Sequence, residues 1–193
     1  MAKRVYFGFH HDDVISFRAN VVRNHNAVSS ATDDVVFFDA SIWEEAKTKG
    51  EEALKRLING GLDRTSVTCI LIGTETYSRK WVRYEIFKSL QKGNKLIGIY
   101  IHKIKDKDGK TATKGPNPFE HLALKVSDDG PKVTPCTLGS DGKWYTFDLV
   151  DPWKPDEALP VSDRGKIIKL SRWADTHDWV DDDGYKNFGN WIA

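Results

Sequence analysis

Cys69-Ile70-Leu71-Ile72-Gly73-Thr74-Glu75-Thr76-Tyr77-Ser78-Arg79-Lys80-Trp81-Val82-Arg83-Tyr84-Glu85-Ile86 passes from an unbroken apolar run, through a polar turn, into a helical pattern. The run over 66–72 shows no polar alternation, so its strand is covered on both faces, as in a parallel sheet. Gly73-Thr74-Glu75 ends it. Val82, Ile86 and Leu90 then recur at i, i+4 and i+8, a core stripe on a helix over 80–92 that closes at Gly93-Asn94.

Working outward, Val5-Tyr6-Phe7-Gly8-Phe9 reads as a second strand of the same buried kind. After the polar cluster 10–13, apolar positions 14, 17, 21 and 22, with the stem of Arg18, follow helical spacing, and Asp12 or Asp13 supplies the N-cap. A strand over 35–38 stops at Asp39-Ala40-Ser41. Trp43, Ala46, Leu54, Leu57 and Ile58 then predict one helix closed by Gly60-Gly61. A further strand covers 95–101. Strands alternating with helices over the first hundred residues imply an open α/β sheet, mainly parallel and flanked by helices. Its ligand crevice lies beyond the strands' C-terminal ends.

Beyond that point the pattern changes. Residues 102–114 hold five lysines against two aspartates, a solvated loop whose sharper reading is a phosphate-steering arm. Segments 132–137 and 143–147 flank Leu138-Gly139-Ser140-Asp141-Gly142 as a hairpin. Residues 167–193 carry a helical pattern at Ile168, Trp173 and Trp179. Five of the seven tryptophans lie from Trp144 onward, so the tail has apolar mass to pack on the first part. The expectation is a single domain over 1–193, with its core over 1–122 and a β-hairpin/helix extension over 123–193 on the same domain.

A chain of 193 residues buries about 70% of its surface on folding and needs no metal or disulfide to hold it. Twenty-nine basic against twenty-eight acidic residues give a net charge of +1, which points to no nucleic acid and no anionic membrane as partner. The longest apolar runs fall far short of the ~20 residues that span a bilayer. Cys69 sits within a buried run, and with Cys136 alone beside it a reduced pair is expected. With no signal-peptide pattern in the opening residues, a cytoplasmic location is expected.

Several chemistries lack their motifs. Asp181-Asp182-Asp183-Gly184 lacks the alternation and distal glutamate of a calcium loop and reads as a turn or cap, while the histidines show no zinc spacing, so no metal site is expected. There is no G-x-S-x-G, no G-x-x-x-x-G-K-[ST] and no G-x-G-x-x-G. Asp12-Asp13 imitates the magnesium-holding pair of a receiver domain, but Gly73-Thr74-Glu75 stands where the phospho-accepting aspartate should be. Glu85 remains. On pattern alone it is a solvated or salt-bridged helix residue, yet its helix begins where the crevice lies.

The segment 69–86 resembles the TIR-domain stretch in which a strand, an S-x-x-W turn and a W-x-x-x-E helix place a glutamate in the active cleft. The 5–9 strand and its acidic turn are similar to the opening box of that family, with Gly8 where serine is commoner. More narrowly, residues 3–24, Phe38-Asp39-Ala40-Ser41, Leu57-Ile58-Asn59-Gly60-Gly61-Leu62, Gly115-Pro116-Asn117-Pro118-Phe119 and Asp178-Trp179-Val180-Asp181-Asp182-Asp183-Gly184-Tyr185 resemble the ThsB TIR-like proteins of bacterial Thoeris anti-phage defence systems. The match is weakest over 123–163. The resemblance implies the flavodoxin-like, TIR-like version of the α/β sheet.

It also implies an activity: cleavage of the bond between nicotinamide and ribose in NAD, with Glu85 as the catalytic carboxylate, NAD as substrate and no cofactor. The product is a cyclic ADP-ribose isomer that switches on a separate NADase effector through a diffusible nucleotide signal. A phage-derived trigger and assembly into a homo-oligomer belong to the same expectation. Phe9 and His10 would offer a ring face and a donor to the ligand, Asp39 and Ser41 would hydrogen-bond it, and Gly73 and Thr74 would let it approach the backbone. Trp81 packs beneath Glu85 at the margin of this set, and Trp43 anchors its helix in the core. Two other readings stay open: a non-catalytic TIR scaffold that works by assembly, and a nucleoside N-glycosyl transferase using the same kind of carboxylate.

Overall fold

Strand runs with apolar residues on both faces can be satisfied only inside a layered sheet, and the computed structural model, which describes residues 3–11, 13, 17–38 and 40–193, places them there. The strands are β1 (Lys3–Gly8), β2 (Thr32–Val36), β3 (Val67–Ile72) and β4 (Lys95–Tyr100), joined by a strand from the tail, β9 (Asp175–Asp178). They form one sheet in the order β2-β1-β3-β4-β9, with every neighbouring pair parallel. β3 is buried at all six positions, as its run requires.

Side chains alternate between two faces. Tyr6, Ile70 and Ile72 pack against Ile58 and Leu62 of α4 (Glu51–Leu62) and against Val82, Ile86 and Phe87 of α5 (Lys80–Gln91). Phe7, Cys69 and Leu71 pack on the other face against Ala19 and Val22 of α1 (Arg18–Arg23), Val28 of α2 (Asn26–Ala31), and Phe188 and Ile192 of α6 (Gly184–Ile192).

A second, antiparallel sheet has the order β7-β6-β5-β8, from β5 (Leu122–Val126), β6 (Val133–Leu138), β7 (Trp144–Thr146) and β8 (Ile167–Lys169). It covers the outer side of α5, where Phe87 meets Phe147 at 5.3 Å between ring centroids. The expected hairpin is present as β6 and β7, extended on the other side of β5 by β8. Cys69 and Cys136 are both free and buried.

Three expectations need correction. The single helix over 43–61 is two, α3 (Ala40–Thr48) and α4, because Gly50 breaks the chain at φ 96° and ψ 179°. Gly60 and Gly61 lie inside α4 and do not end it; a Cβ at Gly61 would meet the Phe38 ring, so this glycine permits close packing. The helical pattern over 167–193 resolves into β8, a 3-10 turn over 170–172, β9 and only then α6, so Trp173 and Trp179 are not helical. Asp12 and positions 14–16 of the expected first helix lie outside the described residues.

Gly50 occupies backbone space that essentially only glycine enters, and no atom stands within 4 Å of where its Cβ would be. Gly50→Ala is therefore expected to cost about 1–3 kcal/mol through backbone strain alone, read as a lower urea midpoint with an unchanged m value.

The 102–114 loop is tied down. Arg18 donates from Nε to the Ile104 carbonyl at 2.9 Å, and from its guanidinium to the Lys110 carbonyl at 2.9 Å and the Asp106 carboxylate at 3.0 Å. The Asp181–Asp183 run forms a turn, as expected: the Asp182 carboxylate accepts from the Asp178 N–H at 2.6 Å, while Asp181 pairs with Lys103 and Asp183 with Lys186 at 2.8 Å. No helix among the described residues is long and apolar enough to cross a membrane.

Candidate active site

Glu85 overturns the reading of its own periodicity. It lies one residue off the apolar stripe, yet its side chain turns under α5 toward the sheet and is only 3% exposed. A gap in β1 makes room for it: a Cβ on Gly8 would sit 2.7 Å from Glu85 Oε2 and 2.8 Å from Ile70 Cδ1. One pleat earlier on the same face, the wholly buried Tyr6 hydroxyl donates to Glu85 Oε1 at 2.7 Å. Oε2 has no hydrogen-bond partner among the described residues.

A buried carboxyl with one partner is difficult to ionise. Burial pushes Glu85 up to about 8, against the downward pull of the Tyr6 hydrogen bond. Tyr6 is itself raised, by burial first and then by the neighbouring carboxylate, so it stays a neutral donor. In the empty site Glu85 is therefore mostly protonated at neutral pH, and a cation brought beside Oε2 would draw it toward the ionised form. Tyr6→Phe removes the one hydrogen bond that favours the anion. It is expected to move the acid limb of the activity–pH profile upward by about one pH unit, with about a tenfold loss at pH 7 that is regained only above about pH 9. The measurement, for the NAD cleavage that the resemblance implies, is NAD turnover across pH in lysates of phage-infected cells that carry the wild type or the variant.

Glu85 lines a small recess together with Phe7, Phe9, His11, Phe38 and Trp43, with about 20 Å³ of free room, enough for one water and too little for a nicotinamide ring. Phe9, His11 and Trp43 also wall a wider cleft of about 370 Å³ that continues past His10, Lys47, Arg79, Lys80, Trp81 and Val82. These three side chains are the partition between carboxyl and cleft. Arg79 brings a buried Nε without a hydrogen-bond partner, although its terminal nitrogen reaches Glu75 at 3.9 Å. Lys80 pairs with Glu51, and Lys47 with Glu44 at 3.4 Å.

The residues expected to contact a ligand are only partly brought together. Phe9 lines both spaces and stacks on Phe37 at 4.3 Å, and His10 lines the wider cleft. Trp81 also lines the wider cleft, edge-on to Tyr84 at 5.7 Å; what lies against the Glu85 carboxyl is Tyr6 and Gly8. Trp43 packs against the core, as expected, and also lines both the recess and the wider cleft. Ser41 is exposed on the first turn of α3, outside both linings, and Asp39 lies outside the described residues. Gly73 is approached by protein: a Cβ there would overlap the Asp13 carboxylate, and Gly115 packs on the Gly73 and Thr74 carbonyls. Thr74 donates its hydroxyl to the Thr113 carbonyl at 2.8 Å.

Tyr6, Gly8, Trp43 and Arg79 are the residues sequence reasoning passed over. The available signal was Gly8 itself, a residue without a side chain in an otherwise bulky strand.

Two comparisons with known proteins bear on the family of the chain. Residues 6–106 match the family model described as Thoeris protein ThsB, TIR-like domain. Over 192 residues, the whole of both chains, the sequence is 51% identical to a protein of Bacillus cereus (strain MSX-D12) named "Putative cyclic ADP-D-ribose synthase ThsB1".

Proposed function

The chain belongs to the ThsB TIR-like domain family of the Thoeris system, and we propose that it converts NAD to nicotinamide and a cyclic ADP-ribose isomer. The observation that carries the reading is Glu85: buried, with Oε2 unpartnered among the described residues, and lining a recess that shares Phe9, His11 and Trp43 with a wider cleft holding Lys47, Arg79, Lys80 and Trp81. The name of the Bacillus cereus relative supports the same product class.

The chemistry suits a single carboxyl. The C1′–N bond breaks with its electron pair passing to the pyridinium nitrogen, so nicotinamide leaves neutral and needs no general acid. What requires help is the positive charge developing on the ribose. Entry of the cationic ring beside Glu85 favours loss of its proton, and the resulting carboxylate stabilises the oxocarbenium ion and holds the ribose hydroxyls. A nucleophile of the adenosine half, folded back in the cleft, then attacks the anomeric carbon and closes the ring. Arg79, with its free Nε, and the edges of Trp43 and Trp81 suit the diphosphate and adenine of that half.

The 20 Å³ recess is too small for this chemistry, so Phe9, His11 and Trp43 must part first, and a phage-derived trigger or assembly of copies is the natural cause. The cyclic product would then act on a separate NAD-consuming Thoeris effector. The test compares small molecules, by liquid chromatography with mass spectrometry, in cells carrying wild type or Glu85→Ala before and after infection. An ADP-ribose species that accumulates only in infected wild-type cells and activates the effector supports the cyclase. Protection by both variants without such a species makes Glu85 structural and the protein a scaffold.

A further inference from the structure

A second cavity, of about 400 Å³, opens at the far end of α5 from Glu85, within the size range of small-ligand sites. Its walls are Leu90, Leu124, Trp153, Pro155, Leu159 and Trp173. Trp153 is held rigidly, because its backbone exchanges hydrogen bonds with Val133 at 2.8 and 3.0 Å. Trp173 stays 40% exposed and already receives a cation on its ring, the Arg172 guanidinium at 5.6 Å. Two indoles and four aliphatic walls form an apolar slot with π faces.

The polar groups of this cavity are chiefly acceptors. Asn94 lines it while only 6% exposed. Its Nδ2 is fully used, donating to Thr65 Oγ1 at 2.8 Å and Thr68 Oγ1 at 3.1 Å, so the side chain offers a ligand its acceptor, Oδ1. Asp156 and Glu157 complete the lining, and Asp156 arches back toward the 93–94 turn, its Oδ2 3.9 Å from where a Gly93 Cβ would be. Neither carboxylate has an ion pair among the described residues: Lys92 is engaged by Asp63 and Arg172 by Asp163. Gln91 Oε1 is taken by Lys88.

We propose that this cavity binds an organic cation, a primary ammonium or guanidinium carried on an apolar stem. The stem fills the slot between Trp153 and Trp173, and the charged head meets Asp156, Glu157 and Asn94 Oδ1. The proposal stands apart from NAD cleavage. Such a head can come from a free amine or from a lysine or arginine side chain presented by another protein.

Isothermal titration of the intact protein with n-pentylammonium and n-pentanol, equal in stem and different in charge, tests it. The amine is expected to bind at least about tenfold more tightly than the alcohol. Asp156→Asn/Glu157→Gln, on an exposed loop, is expected to abolish that preference, and Trp153→Leu to weaken both probes. Equal affinity for amine and alcohol, no saturable binding, or an undiminished preference in the charge-neutral double variant would overturn the assignment, independently of whether Trp153→Leu folds. Two further probes separate the sources. Agmatine binding without binding of an acetylated, amidated lysine pentapeptide assigns a free cation; pentapeptide binding assigns a presented side chain.

Discussion

Glu85→Gln is expected to yield a protein that is about 10²–10³-fold slower on NAD and yet more stable than the wild type at pH 8. The two effects have one cause. Burial raises the folded-state carboxyl to about 8, while in the unfolded chain it returns to its ordinary value near 4.5. Between those values the native protein holds a proton that the unfolded chain releases, so the contribution of Glu85 to stability falls as pH rises through this window and levels off above about 8. The slope from this one group reaches at most about 1.4 kcal/mol per pH unit. Glutamine carries no charge to bury and keeps an acceptor for Tyr6, so it escapes the slope. Urea midpoints of both proteins at pH 5, 6.5 and 8 should diverge with rising pH, the variant ahead. A constant difference would place the ionisation of Glu85 elsewhere.

The second large effect is expected at a residue with no side chain. In Gly8→Ala the new methyl meets Glu85 Oε2 at 2.7 Å and Ile70 Cδ1 at 2.8 Å. Both are ends of side chains that can swing aside, so the stability loss should stay near about 1 kcal/mol, the low end for overpacking. The displaced carboxyl, however, loses its alignment with Tyr6 and with the recess, and a misplacement of about 1 Å can cost around 10²-fold in rate. Gly8→Ala should therefore fold, and NAD turnover in activated extracts should be reduced nearly as far as in Glu85→Gln. Retained turnover would show that the carboxyl works from another rotamer.

The sheet was legible because β1, β3 and β4 carry runs that are apolar on both faces, a pattern that few alternatives satisfy, whereas β2, Thr-Asp-Asp-Val-Val over 32–36, begins three residues before the strand expected over 35–38 because its first half is polar. β9 was not: Asp-Thr-His-Asp reads as loop, and an edge strand that is half exposed needs no apolar period. The break at Gly50 was hidden because α3 and α4 bury successive positions of what looks like one stripe. At the site, family resemblance singled out Glu85 where periodicity alone gave the opposite reading. Tyr6 and Gly8 could not follow from either, since their role depends on β1 lying beneath α5, a pairing across 79 positions of sequence. Trp43 and Arg79 escaped for the same reason, because a cleft wall is a property of neighbours in space.

β9 closes the sheet against β4 although the whole second sheet lies between them in the chain. During synthesis, the edge of β4 therefore waits bare until the tail leaves the ribosome, on the order of 4–15 s at about 5–20 residues per second. For that interval the nascent chain presents a parallel strand edge with unpaired backbone groups, a template for the wrong partner. A message cut short in the tail would yield a fragment whose β4 edge stays open, because the strand that covers it is the last of the sheet to be made.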